Sequence, residues 1–183
     1  MRLHFAALIF AVTLFPASSI SADDYDGSSA AMATDLADVQ ACMAKADGAG
    51  DAARACLHRA ADACVKRIAG NVSHAAKGAC LQRETRIFQQ LYRDRVMIGL
   101  DWAYRSDADE VDALRMISDR LPTFMATETT WQSYAEAECR MEMLQWSNGN
   151  ADMVARPACQ SRLYAERIAL LDSLAKQQGW IRR

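Results

Sequence analysis

The sequence predicts an all-α fold, a disulfide-stapled array of antiparallel helical hairpins. Three observations lead there. Apolar residues recur at three- and four-residue intervals through most of the chain. Alternating β-branched runs are absent, and Val, Ile and Thr are sparse. Six cysteines (Cys42, Cys56, Cys64, Cys80, Cys139, Cys159) fall as pairs on either side of short Gly- or Asn-containing breaks.

The elements follow in order. Residues 31–46 form a short Ala-rich helix, which Gly48 and Gly50 end. Asp51 to Ile68 has no Gly or Pro, and Ala52, Cys56, Ala60 and Cys64 recur every four residues, so it reads as one helix, stopped by Gly70 and Asn71. A long third helix runs from about His74 to Arg105, with Leu81, Phe88, Leu91 and Ile98 along one side. Ser106, followed three positions on by Asp109, then has the form of a capping box opening a new helix with Val111, Leu114, Ile117 and Leu121 as its apolar stripe. Pro122 suits the first turn of the next helix, which continues through Trp146. In it Trp131, Ala135, Cys139, Met143 and Trp146 share one face. The last helix is apolar at Leu163, Leu170, Leu171 and Leu174 and ends near Gly179; Pro157 argues against an early start.

The N-terminus reads as a secretory leader. Arg2 supplies a positive charge, Phe5 to Phe15 is apolar but too short to span a bilayer, and "PASSISA" offers small residues before a cut after Ala22. Residues 1–22 are therefore set aside as a signal peptide, and 23–183 as a single helical domain, with Cys-rich hairpins over about 31–105 and a C-terminal hairpin over about 122–178. Without Arg2 the domain has 20 basic and 23 acidic residues. That balance, with no basic stripe interleaved with aromatics, argues against nucleic acid as a partner.

An even cysteine count in a small exported domain is read first as a disulfide framework, and six cysteines allow fifteen connectivities. Along a single helix Cys56 and Cys64 would stand about 12 Å apart, beyond the roughly 7 Å a disulfide permits. Each must reach a neighbouring helix. "DGAG" (Asp47 to Gly50), "AGNVSH" (Ala69 to His74) and "SNGN" (Ser147 to Asn150) lie midway between successive cysteines. Residues equidistant from a hairpin turn face each other, which gives Cys42–Cys56, Cys64–Cys80 and Cys139–Cys159. A metal site is disfavoured, since there is no C-x-x-C and only His58 and His74 follow the leader. No G-x-S-x-G, P-loop or H-E-x-x-H occurs either, so the expectation is a protein that is not an enzyme and carries no cofactor.

Trp131-Gln-Ser-Tyr134-Ala-Glu-Ala-Glu-Cys139, a turn containing Gly149, and Cys159 followed by a helix with Arg167 near its middle together resemble the C-terminal half of LprI-type lysozyme inhibitor domains. "ACLQRE", with Cys80, Leu81 and Glu84, is similar to the family's Cys-Leu-x-x-Glu. The resemblance spans roughly residues 40–175. Ala135 and Glu136 stand where the family usually has Arg-Asp, Asn148-Gly149 replaces paired glycines, and the long helix lacks the family's Asn after Leu91. The resemblance implies an exported bacterial protein, periplasmic or secreted, with Trp131, Tyr134, Glu84 and Arg167 as framework. It also implies a partner: lysozyme or another muramidase.

Muramidases of this kind work with two carboxylates in an open cleft, which an inserted turn can block without chemistry of its own. The turn Trp146, Ser147, Asn148, Gly149 and Asn150 is the candidate, an aromatic anchor beside small polar residues. It also reads as a plain helix connection. The acidic run Asp107, Asp109, Glu110 and Asp112 could steer a basic partner, but acids also favour a helix N-terminus on dipole grounds. The alternative function is a structural or assembly module of the cell envelope.

Overall fold

The computed structural model describes residues 29–68, 72–112, 119–145 and 151–180. The expected leader and the turn 146–150 lie outside the described residues. Within them the chain is all-helical, without strands: α1 Ser29–Ala46, α2 Gly50–Arg54, α3 Arg59–Arg67, α4 His74–Asp112, α5 Arg120–Leu144 and α6 Ala151–Gln178. Three disulfides join Cys42 to Cys56, Cys64 to Cys80 and Cys139 to Cys159, with Cα atoms 5.7, 5.5 and 5.6 Å apart. These are the pairs that the hairpin geometry predicts.

α4 is the spine, about 58 Å long at 1.5 Å per residue. Ile87, Phe88, Leu91 and Tyr92 on it meet Val39 and Met43 of α1 and Ile168 and Leu171 of α6 in one core. α6 runs alongside α4 in the same direction: Gly78 faces Met153, Thr85 faces Pro157 and Ser161, and Arg95 pairs with Asp172. α5 returns antiparallel to both, since Tyr92 bonds Glu128 whereas Asp107 bonds Arg120, and Cys139 meets Cys159 whereas Glu128 meets Arg167. α1 docks through Asp35, which is buried and receives Arg67 of α3 and Arg83 of α4.

The single helix expected over 51–68 is broken. α2 ends at Arg54, Cys56 and Leu57 make tight i→i−3 bonds, and His58 takes a left-handed conformation at φ 67 before α3 begins. The break follows from two anchors that pull differently. Cys56 is tied to α1, while the start of α3 is capped from α4 by Glu84, whose carboxylate accepts the N–H of His58 (3.0 Å) and of Ala61 (3.1 Å). Glu84 is 0% exposed. Its two bonds satisfy N–H groups that a helix start leaves open.

The second correction concerns Ser106. No new helix opens there, because α4 continues through Asp112. Asp107 instead reaches across to the start of α5 and accepts the N–H of Arg120 and Leu121. Of the stripe predicted for the missing helix, Leu114, Ile117 and the Val111 side chain lie outside the described residues, and Leu121 belongs to α5. α5 stops at Leu144 rather than Trp146. α6 starts at Ala151 and carries Pro157 in its interior, against expectation. Pro157 has no N–H to offer the Met153 carbonyl. At that place α4 presents Gly78, where a Cβ would lie only 2.7 Å from the Met153 oxygen. Leu170, predicted on the apolar stripe, is 47% exposed.

The far end is closed by a residue absent from every expectation. Gly179 is left-handed (φ 62) and lets the Trp180 N–H reach the Ala175 carbonyl (3.0 Å), the Schellman ending of α6. The Trp180 ring then stacks on Trp102 (5.4 Å) and meets Phe124 edge-on (5.7 Å), locking α6 to α4 and α5.

Gly78→Ala gains helix propensity of up to about 1 kcal/mol, yet forces α4 off a backbone carbonyl; urea denaturation should show a net loss of about 1–3 kcal/mol. Burial pushes the Glu84 carboxyl above its ordinary value of 4.5, opposed in part by the N–H bonds from Ala61 and His58. Folded protein thus holds the proton more tightly than unfolded chain from about pH 4.5 up to the raised value, and stability falls as pH rises through that window. Relative to Glu84→Gln, wild type should lose stability as pH rises from 4.5; a constant difference would contradict the assignment. Glu84→Ala should cost about 2–4 kcal/mol, because it strands two N–H groups.

Candidate functional site

Where α4, α5 and α6 meet, three rings form a cluster: Tyr92 and Trp131 at 4.9 Å, with Tyr164 at 5.3 Å from each. Arg167 lies 5.6 Å over the Trp131 ring and forks onto Glu128 through Nε and Nη2. Glu128 is buried and also accepts the Tyr92 hydroxyl at 2.9 Å, while Gln132 donates to the Tyr92 oxygen at 3.2 Å. Burial, with the Glu128 charge adding to it, pushes the Tyr92 hydroxyl well above its usual value, so it stays a donor. Glu128, Arg167 and the Tyr92 hydroxyl are thus spent on one another. The cluster has the chemistry of a brace between helices, with no nucleophile presented.

The sequence-predicted residues divide accordingly. Trp131 and Arg167 belong to this brace, and Glu84 caps α3. Tyr134, expected beside them as framework, is instead 52% exposed. Three residues from Trp131, it lies on the same side of α5 but on its rim, about 100° round the helix from buried Ala135. Trp146, Ser147, Asn148, Gly149 and Asn150 lie outside the described residues. Glu128, Tyr92, Gln132 and Tyr164 were not anticipated. Glu128 had a readable signal, because the 128, 131, 135, 139 spacing puts a carboxylate on the same face as Trp131 and Cys139.

The end of α5 that precedes residues 146–150 is held to α6. Cys139–Cys159 staples it to α6, and Arg162 of α6 pairs with Glu142 at 2.9 Å. Beyond these ties Met141 and Leu144 are 62% and 74% exposed. They continue an outward strip made by Thr123, Thr127, Thr130 and Tyr134, all exposed and none charged. A shallow groove of about 540 Å³ runs beside Tyr134, Trp131 and these threonines. A separate cavity of about 490 Å³ between α1, α4 and α6 has its charges matched in pairs, Arg95 with Asp172 and Lys176 with Asp47.

Among the described residues no group of His, Cys, Asp and Glu could hold a metal ion, and no cysteine is free. No protein-family model, no curated protein and no solved structure matches this chain.

The brace makes a stability prediction. Arg167→Ala leaves the Glu128 charge buried without its partner and should cost about 3–5 kcal/mol. Arg167→Lys restores a charge without the planar fork and should recover part of that loss. Both are read from urea unfolding followed by far-UV circular dichroism, and a loss under about 1 kcal/mol for Arg167→Ala would contradict the brace.

Proposed function

We propose that this chain is an exported bacterial binding protein, periplasmic or secreted, of the LprI type that its sequence resembles. It blocks the cleft of lysozyme or a related muramidase and performs no chemistry itself. The observation that supports this is the α5–α6 end: exposed Met141 and Leu144 on a helix that a disulfide and an ion pair hold rigid. A preorganised apolar end loses little freedom on docking, so more of its contact energy appears as affinity. The segment from Trp146 to Asn150 follows directly and is the part that would enter the cleft. Six cysteines joined as three disulfides fit an oxidising compartment. Within the described residues no helix is long and apolar enough to cross a membrane.

The uncharged outer strip of α5 favours a second reading, a structural or assembly module of the cell envelope that uses this helix face to join another protein. The two readings separate in one experiment. The oxidised protein, residues 23–183, is assayed against a panel of muramidases. Inhibition is expected at micromolar concentration or below, and Met141→Asp and Leu144→Asp should each weaken it by about tenfold or more with an unchanged melting temperature. No effect on any muramidase in the panel, combined with a stable envelope partner in a pull-down, would replace the first reading with the second.

A further inference from the structure

A polar cleft lies between α4 and the N-terminal half of α6. Gln82, Arg86 and Gln89 of α4 and Met153, Arg156 and Gln160 of α6 line an open cleft of about 470 Å³. Arg156 and Gln160 also border an adjoining depression of about 230 Å³, whose other wall is α5 at Gln132 and Glu136. The cleft continues from one helix pair to the next over α6. Its floor is built, not incidental: Thr85 Oγ1 donates to the Pro157 carbonyl at 2.9 Å and shares a hydrogen bond with the Ser161 hydroxyl at 3.0 Å, and all three residues are buried.

The chemistry of the lining is unusual for this molecule. Four of the chain's nine glutamines border it, so primary amides are concentrated here. The side chains of Gln82, Gln89, Gln160 and Arg156 make no hydrogen bond among the described residues, whereas most of the described arginines are ion-paired. The chain as a whole carries a net charge of −2, yet this cleft holds two guanidinium groups. Among the described lining residues the one carboxylate is Glu136, in the adjoining depression, and Arg140 takes it at 3.1 Å. The Arg156 guanidinium, without a partner among the described residues, presents a planar fork that matches an oxyanion such as a carboxylate. Primary amides offer a donor and an acceptor side by side, the pattern that pairs with a peptide group. Sugar rings are commonly gripped by an open aromatic face, and among the described residues the one ring at the border, Tyr164, is committed to Tyr92 and Trp131.

We propose that this cleft binds a short peptide with a free carboxylate, Arg156 taking the carboxylate and Gln82, Gln89 and Gln160 taking the peptide groups. Met153 and Pro157 supply the apolar contact for a small side chain. This site stands independently of muramidase inhibition.

The test is a ¹⁵N NMR titration of the oxidised protein with N-acetyl-Ala-Ala-Ala as the free acid, its C-terminal amide, and galacturonate. The free acid should shift the side-chain amides of Gln82, Gln89 and Gln160 and bind with a Kd on the order of 1 mM or tighter. The C-terminal amide should bind about tenfold more weakly or worse, and Arg156→Gln should reduce affinity for the acid by a similar factor. Gln82→Ala, an exposed position, should weaken binding without changing the melting temperature. Equal binding of acid and amide, equal binding by Arg156→Gln, or galacturonate binding as tightly as the peptide would each overturn the proposal, as would an absence of shifts at 10-fold the expected Kd.

Discussion

Glu84 puts a fully buried carboxylate at the point where α3 starts, and the arrangement of the N-terminal half follows from it. A buried carboxylate is costly unless its oxygens are satisfied. Here they are satisfied by the open N–H groups of a helix start, which requires the helix to start at that place. The backbone complies by turning left-handed at His58, a conformation disfavoured for a residue with a Cβ. With α3 redirected, Cys56 can address α1 while Cys64 addresses α4. One side chain on the spine thus sets the path of two other helices.

The same logic recurs elsewhere on a smaller scale. Asp35 gathers Arg67 and Arg83, Glu128 gathers Tyr92 and Arg167, and Asp107 caps α5 from α4. In each case an acid on one helix organises groups on another. The helices themselves are poor in large apolar side chains and rich in alanine, so they approach closely. Gly78 and Gly99 mark the tightest places, where any Cβ would meet Met153 or Phe124. Close small-residue contact leaves little room for adjustment, and directional polar contacts define the register.

Much of this was legible in the sequence, for identifiable reasons. The helical class and the cysteine pairs follow from periodicity and from turns placed midway between cysteines, both local properties. The break at His58 was not legible, because a four-residue repeat of Ala and Cys looks the same whether or not a distant carboxylate interrupts it. Ser106 and Asp109 have the form of a cap, but Asp107 acts on a helix that starts 13 residues later. Pro157 is tolerated because α4 offers a glycine opposite it. For the site, Trp131 and Arg167 could be picked from sequence, while Tyr134, on the same side of α5 as Trp131, stays on its exposed rim. The Gln82–Arg156 cleft was invisible, since its residues come from helices far apart in sequence and share no motif.

The disulfides have a consequence for how the protein is made. Each cysteine is bonded to the next one along the chain, at separations of 14, 16 and 20 residues. A chain that emerges N-terminus first and is oxidised as it appears therefore meets the correct partner before any wrong one arrives. Native pairing needs no thiol–disulfide reshuffling, the slow step that non-consecutive bridges impose. The first bridge closes before α3 has its cap from Glu84, and the last closes the hairpin that carries Met141 and Leu144. Pairing in order of emergence thus yields the native set of bridges.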